Sequence, residues 1–155
     1  MKTLALASNR AQKLIWICAL IATYSDAHIA ASLSHRKPKV LHYGPEKVTL
    51  TGKVFARTFY GPPNYGENPK RDSKENQYIL LLDSAIDVVT TGSDPTDKTE
   101  HGVKKVTLVV SDFKAHPLKH LLGSRVKVEG TLFHATTGHH HTKVLLEVFS
   151  IKRAR

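Results

Sequence analysis

Val48-Thr49-Leu50-Thr51-Gly52-Lys53-Val54-Phe55 sets Val48, Leu50, Gly52 and Val54 against Thr49, Thr51, Lys53 and Phe55, an alternation with a period of two. Successive side chains point to opposite faces of a strand, so this spacing predicts a β-strand with one buried face. Working outward, residues 78–83 (YILLLD), running on towards Val89, read as a second strand. Residues 103–111 read as a third, with Val106, Leu108 and Val110 in register. Residues 125–134 and 142–152 complete a set of five, and the chain reads as mainly β.

The segments between the strands carry turn chemistry. Residues 61–77 (GPPNYGENPKRDSKENQ) are rich in Pro, Gly, Asn and charge and predict one long loop, and residues 90–102 (TTGSDPTDKTEHG) predict another. Residues 115–122 (AHPLKHLL) are the one convincing pair of helical turns, with Gly123 at the C-terminal stop. Three strands, a short helix and two strands is the order of a five-stranded, OB-fold-like Greek-key barrel, with the helix between strands three and four. A plain β-sandwich or SH3-like barrel is the alternative. Gly52 and Gly130 fall mid-strand, where a bend, bulge or close backbone approach requires a residue without a side chain.

The barrel domain is expected to span residues 48–155, preceded by two segments of other kinds. Residues 1–27 begin with Lys2, Arg10 and Lys13, continue through the apolar run LIWICALIA at 14–22, and end in Tyr24, Ser25, Asp26 and Ala27. That is the order of a signal peptide cleaved after Ala27, and the run is shorter than a membrane-spanning helix needs. A retained anchor is the alternative. Residues 28–47 read as a basic, proline-containing arm without periodicity.

Removing residues 1–27 takes away three bases and one acid, so the formal charge falls from +10 to +8. The only cysteine, Cys18, leaves with the same segment, and the mature chain then has no disulfide and no thiol nucleophile. Export without disulfides suits a bacterial periplasm, or secretion, better than a small disulfide-stapled scaffold. No transmembrane segment is expected in the mature chain.

Residues 48–55 (VTLTGKVF), 61–69 (GPPNYGENP), 78–87 (YILLLDSAID) and 123–144 (GSRVKVEGTLFHATTGHHHTKV) resemble an exported bacterial family of domains of unknown function marked by GTLFHA and TGHHHT. The layout is also similar to that of small periplasmic OB-fold proteins of bacteria. These resemblances imply a binding domain and supply no catalytic residue.

Chemistry concentrates in residues 134–142 (HATTGHHHT), which hold four of the ten histidines. Neutral imidazole is a good ligand for zinc and other divalent transition metals. Consecutive side chains alternate faces in a strand but not at a turn, so His139 and His141 can converge with His134 while His140 faces outward. His134 also shares the phase of Val126, Val128, Gly130 and Leu132, which predicts an inward, structural imidazole. A metal site, an anion or polar-ligand site and an exposed polar turn all remain open.

In an OB-fold the first loop and the loop between strands four and five flank the ligand face. The loop at 61–77 offers Tyr65 for stacking, Asn64 and Asn68 as amides, and Glu67, Asp72 and Glu75 as carboxylates. The plain alternative is that its prolines and glycines only stiffen it. Phe55, Phe133 and Phe149 lie out of phase with the main apolar set, beside Lys53, Arg57 and Lys127. Exposed, they form an aromatic and basic platform; covered, a second small core.

Enzyme signatures are missing: no nucleophile elbow, no phosphate-binding glycine loop and no HExxH helix occur. The one enzymatic version is a metal-dependent hydrolase built from His134, His139, His141 and Glu67 or Asp72. The sequence thus predicts an exported binding module contacting its ligand through Tyr65, Asn64, Glu67, His139, His141 and Phe133. Its basic charge selects an anionic or polar ligand, or a protein partner such as an inhibitor's or adaptor's target, and export sets nucleic acid aside.

Overall fold

The strand read at residues 48–55 extends to Tyr60 in the structure, a computed structural model that describes residues 37–92, 94–110 and 118–155. Six strands lie within the unit Pro38–Arg155: β1 (Lys39–His42), β2 (Lys47–Tyr60), β3 (Lys74–Val89), β4 (Glu100–Val109), β5 (Arg125–His134) and β6 (Val144–Arg153). The signal peptide expected at 1–27, its Cys18 and the first part of the expected arm lie outside the described residues. No helix among the described residues is long and apolar enough to cross a membrane.

All six strands form one mixed sheet in the order β1-β3-β2-β5-β6-β4, and β4 pairs again with β3. The pairings β2–β3, β2–β5, β3–β4 and β5–β6 are antiparallel, while β4–β6 and β1–β3 are parallel. Within β2 to β6 each strand therefore pairs with two others of the five, and their ladder returns on itself; β3 also pairs with β1. Val54, Leu80, Val106, Val126 and Leu146, each fully or almost fully buried, point to the inside of this ring, as the alternation requires.

The sixth strand comes from the segment read as an arm. β3 is long enough to serve two partners: residues 74–82 pair with β2, and Ile86 to Val89 pair with β1. Leu41 and Tyr43 are buried by this addition, and the Tyr43 hydroxyl donates to the Lys98 carbonyl at 3.0 Å. Three irregular residues, Pro38, Gly44 and Pro45, interrupt the period and hide a four-residue strand from pattern reading.

Two further boundaries differ from expectation. Residues 74–77 belong to β3 and not to the first loop, and residues 100–102 open β4. Of the helix expected at 115–122, residues 115–117 lie outside the described set. From Leu118 onward the chain turns through Leu121 N–H to Leu118 O (3.0 Å) and Ser124 N–H to Leu121 O (2.9 Å), and Leu118 is fully buried in the core.

The two mid-strand glycines mark close approaches. A Cβ on Gly52 would stand 2.2 Å from the carbonyl oxygen of Leu81, and one on Gly130 2.0 Å from that of Glu147. The β5–β6 register shifts between Glu129 and Gly130, the bulge that a side-chain-free position permits.

Candidate functional site

Residues of β2 that alternate with the core set form one outer face: Lys53, Phe55, Arg57 and Phe59. Register places Leu81, Ile79, Gln77 and Glu75 of β3 directly opposite them, and Lys105 and Thr107 of β4 beyond Leu81 and Ile79. Cross-strand neighbours on one face touch, so these rows make a continuous surface. It is concave: a groove of about 270 Å³ is lined by Phe55, Arg57, Phe59, Ile79, Leu81, Lys105, His141 and Thr142. The floor is apolar and the rim carries two cations. Leu81 lies mid-sheet yet is 40% exposed, because it opens into this groove. The Lys53 ammonium stands 5.4 Å from the Phe55 ring centroid, within cation–π range.

The β5–β6 turn closes one end. Thr142 Oγ1 donates to the Val144 carbonyl at 2.7 Å and accepts from the Thr107 N–H at 3.0 Å; a hydroxyl has one proton, so the 2.8 Å contact between the Thr107 and Thr142 hydroxyls has Thr107 as donor. Within the turn, the Thr136 N–H donates to His140 Nδ1 at 3.0 Å. His140 must be unprotonated there, and burial together with the neighbouring His139 and His141 holds its pKa below the ordinary imidazole value.

Glu75, the residue opposite Phe59, clasps the turn. One carboxylate oxygen meets His139 Nδ1 and the other meets His141 Nε2 at 3.1 Å. A carboxylate only accepts, so both ring nitrogens act as N–H donors, which assigns Nδ1–H to His139 and Nε2–H to His141. The His141 bond is the main cause that lowers the Glu75 pKa from the usual carboxylate value; burial opposes it and His139 adds to it. His141 stacks on Phe59 with centroids 4.1 Å apart and planes 6° from parallel. The Gln77 amide donates to the His139 carbonyl.

Tyr65 completes the clasp from the first loop. Its ring meets His139 edge-on at 5.7 Å and covers Gly138, where a Cβ would come within 2.9 Å of Tyr65 Cε1. Its backbone sits at φ 50°, a left-handed conformation that a large side chain rarely adopts. The loop sustains it through Asp72, which is buried. Oδ1 accepts from the Asn64 N–H (2.9 Å) and the Asn64 side-chain amide (3.0 Å); Oδ2 accepts from the N–H groups of Gly66 (2.8 Å) and Asn68 (3.3 Å). Burial would raise the Asp72 pKa, and these donors reverse that and hold it low.

The expected site residues thus divide. Tyr65, His139 and His141 come together, as the adjacency of the two loops predicts. Asn64 is spent on Asp72, and Glu67 is exposed on the loop. Phe133 lies against His140, with centroids 5.8 Å apart, and outside the groove lining. His134 is separate again: its Nε2 lies 3.5 Å from Glu100 Oε1 and its ring meets Tyr43 edge-on at 5.8 Å, while neither ring nitrogen forms a hydrogen bond.

The metal set His134, His139 and His141 is therefore parted in the structure, with His134 facing Glu100 and the other two facing Glu75. Among the described residues no three His, Cys, Asp or Glu side chains are grouped to hold a metal. The carboxylate that meets the histidines is Glu75, whereas the hydrolase reading took Glu67 or Asp72.

Phe59, Ile79, Leu81 and Lys105 line the groove and were not foreseen. Their signal was present in the continued alternation Phe55, Arg57, Phe59, but reading it required the β2–β3 register. Of the residues in the platform alternative, Phe55 and Arg57 line the groove, whereas Phe133 and Phe149 do not, and Phe149 lies beneath the Lys47 ammonium at 5.4 Å.

Comparison with known families matches residues 105–152 to a family described as Domain of unknown function (DUF4431). Comparison with the curated proteins finds no match. The matched residues run from Lys105 on the groove rim through the histidine turn to Lys152, so the similarity includes the turn but not β2, β3 or the first loop.

Proposed function

We propose that the protein is an exported, OB-fold-like binding module that takes a small amphipathic anion, with an apolar or planar body, into the groove over β2, β3 and β4. One observation carries this reading: a concave, solvent-open apolar floor of Phe55, Phe59, Ile79 and Leu81 sits between the Arg57 guanidinium and the Lys105 ammonium. Ligand sites combine such apolar walls with a few placed polar groups. The aromatic rings favour a flat or hydrocarbon body, and the two cations favour a carboxylate, sulfonate or phosphate at its edge.

The OB-fold label is supported by the order β2-β3-β4-β6-β5 closing on β2, a three-strand meander joined to a hairpin by one parallel pair. The long first loop and the histidine turn then stand where such folds hold their ligands. Export is supported by the charge and hydropathy order of residues 1–27.

The test uses 8-anilino-1-naphthalenesulfonate, an aromatic anion whose fluorescence rises in apolar sites. The folded protein is expected to bind it saturably at one site, and Leu81→Glu is expected to abolish the signal while leaving the thermal unfolding transition in place, since Leu81 is exposed. Equal fluorescence from the native protein and a folded Leu81→Glu variant would overturn the reading.

A further inference from the structure

A second concavity lies at the Arg125 end of β5. It measures about 560 Å³ and is lined by Thr51, Arg125, Lys127, Lys152, Arg153, Ala154 and Arg155, none of which lines the groove. The basic C-terminal residues are built into the sheet here: the Ala154 N–H donates to the Arg125 carbonyl at 2.9 Å, and Arg125 Nη1 donates to the Arg155 carbonyl at 3.1 Å. Register then fixes Lys127 directly opposite Lys152 on one side and opposite Thr51 on the other.

Like charges directly opposite one another destabilise a sheet. Two carboxylates stand near this pair: Glu129, one cross-strand row away, accepts from the Ser150 hydroxyl at 3.2 Å, and Asp83 lies beyond Thr51. Asp83 is taken by the Arg125 guanidinium, at 2.9 Å from Nε and 2.8 Å from Nη2, and by the Thr51 hydroxyl. Among the described residues the side chains of Lys127, Lys152, Arg153 and Arg155 enter no ion pair. Five cations line the cleft and only Arg125 among them is ion-paired, with Asp83, which leaves a positive surplus around it. A field of one sign in a concave site concentrates counter-ions of the other.

We infer that this cleft is a second site, independent of the groove, that binds a compact, multiply charged oxyanion of the di- or oligophosphate class. Lys127 and Lys152 face it from adjacent strands, and Arg153 and Arg155 supply planar donors suited to phosphate oxygens. A singly charged ion would leave most of the surplus unmatched.

Calorimetric titration of the full chain with sodium tripolyphosphate at low salt tests this. Saturable one-to-one binding is expected, weakened at least about tenfold in Lys127→Gln/Lys152→Gln, as the loss of charge-assisted contacts implies. Lys70→Gln/Lys104→Gln, which removes the same charge elsewhere, is expected to keep the parent affinity. In phosphate-free buffer Lys127→Gln should melt no lower than the parent, and its rise in Tm on adding tripolyphosphate should be smaller. Absent binding, or equal weakening in both double variants, would overturn the proposal. Vesicles of phosphatidylglycerol form the second arm: binding to them without binding to tripolyphosphate would equally overturn it, in favour of a membrane surface.

Discussion

Glu75 stands where three parts of the chain meet: the start of β3, the first loop through Tyr65, and the histidine turn. Glu75→Gln keeps the shape but leaves one acceptor oxygen for two imidazole donors. A hydrogen bond to a charged group contributes about 1.5–3 kcal/mol, and the exposure of His139 (54%) places this one at the low end, so a loss of about 1–2 kcal/mol is expected. The Glu75 pKa is lower in the folded chain than in the unfolded one. Its stabilisation is therefore fully present above the unfolded value, about 4.3 for Glu, and is lost as the pH falls through the lower folded value. Urea unfolding across that range should show a gap between parent and variant that is constant at neutral pH and closes on acidification. A gap that persists after Glu75 is protonated would contradict the clasp.

At the scale of elements, the β5–β6 turn is a docked structure and not a free hairpin tip. Thr142 ties one side to β4, and Glu75 and Gln77 tie the other to β3. Treating the protein with EDTA is expected to leave Tm unchanged, because Glu75 hydrogen-bonds one ring nitrogen each of His139 and His141 and so holds the turn without a metal. A fall in Tm that zinc reverses would mean that His139 and His141 hold a metal. The bulge at Gly130 belongs to the same hairpin. Gly130→Ala drives a Cβ onto the Glu147 backbone, and overpacking of that kind costs about 1–3 kcal/mol, more where backbone must move. Differential scanning calorimetry of this variant should show a markedly lower Tm, and an unchanged Tm would contradict the register.

How far the sequence revealed these elements follows from what each depends on. The core faces of β2 and β5 were legible because Val48, Leu50 and Val54, and Val126, Val128 and Leu132, carry their burial in a local period of two. Gly52 and Gly130 were legible because a mid-strand glycine has few reasons to exist. The site was half legible: Tyr65, His139 and His141 stood out by composition. Phe59, Ile79 and Leu81 did not, because their meeting depends on the β2–β3 register, which no local pattern encodes. His134 belongs both to the histidine-rich stretch and to the inward phase of β5, and it lies against Glu100 and Tyr43, apart from His139 and His141.

Outside the inward set of Val54, Leu80, Val106, Val126 and Leu146, the ring of β2 to β6 presents two unlike surfaces. One is the groove, apolar with a cationic rim; the other is the cleft beside the end of β6, where five of the seven lining residues are cationic. β1 lies outside the closed ladder, paired with the half of β3 away from the groove. A formal charge of +10 over 155 residues is thus not spread evenly. Arg57 and Lys105 line the groove, and Arg125, Lys127, Lys152, Arg153 and Arg155 line the cleft.

The groove as ligand site is the centre of this account, and its most direct test is a backbone amide NMR titration with 8-anilino-1-naphthalenesulfonate. The predicted result is saturable shift changes confined to residues 55–59, 79–81, 105–107 and 139–142. Changes centred on residues 125–127 and 152–155 instead, or none that saturate, would contradict it.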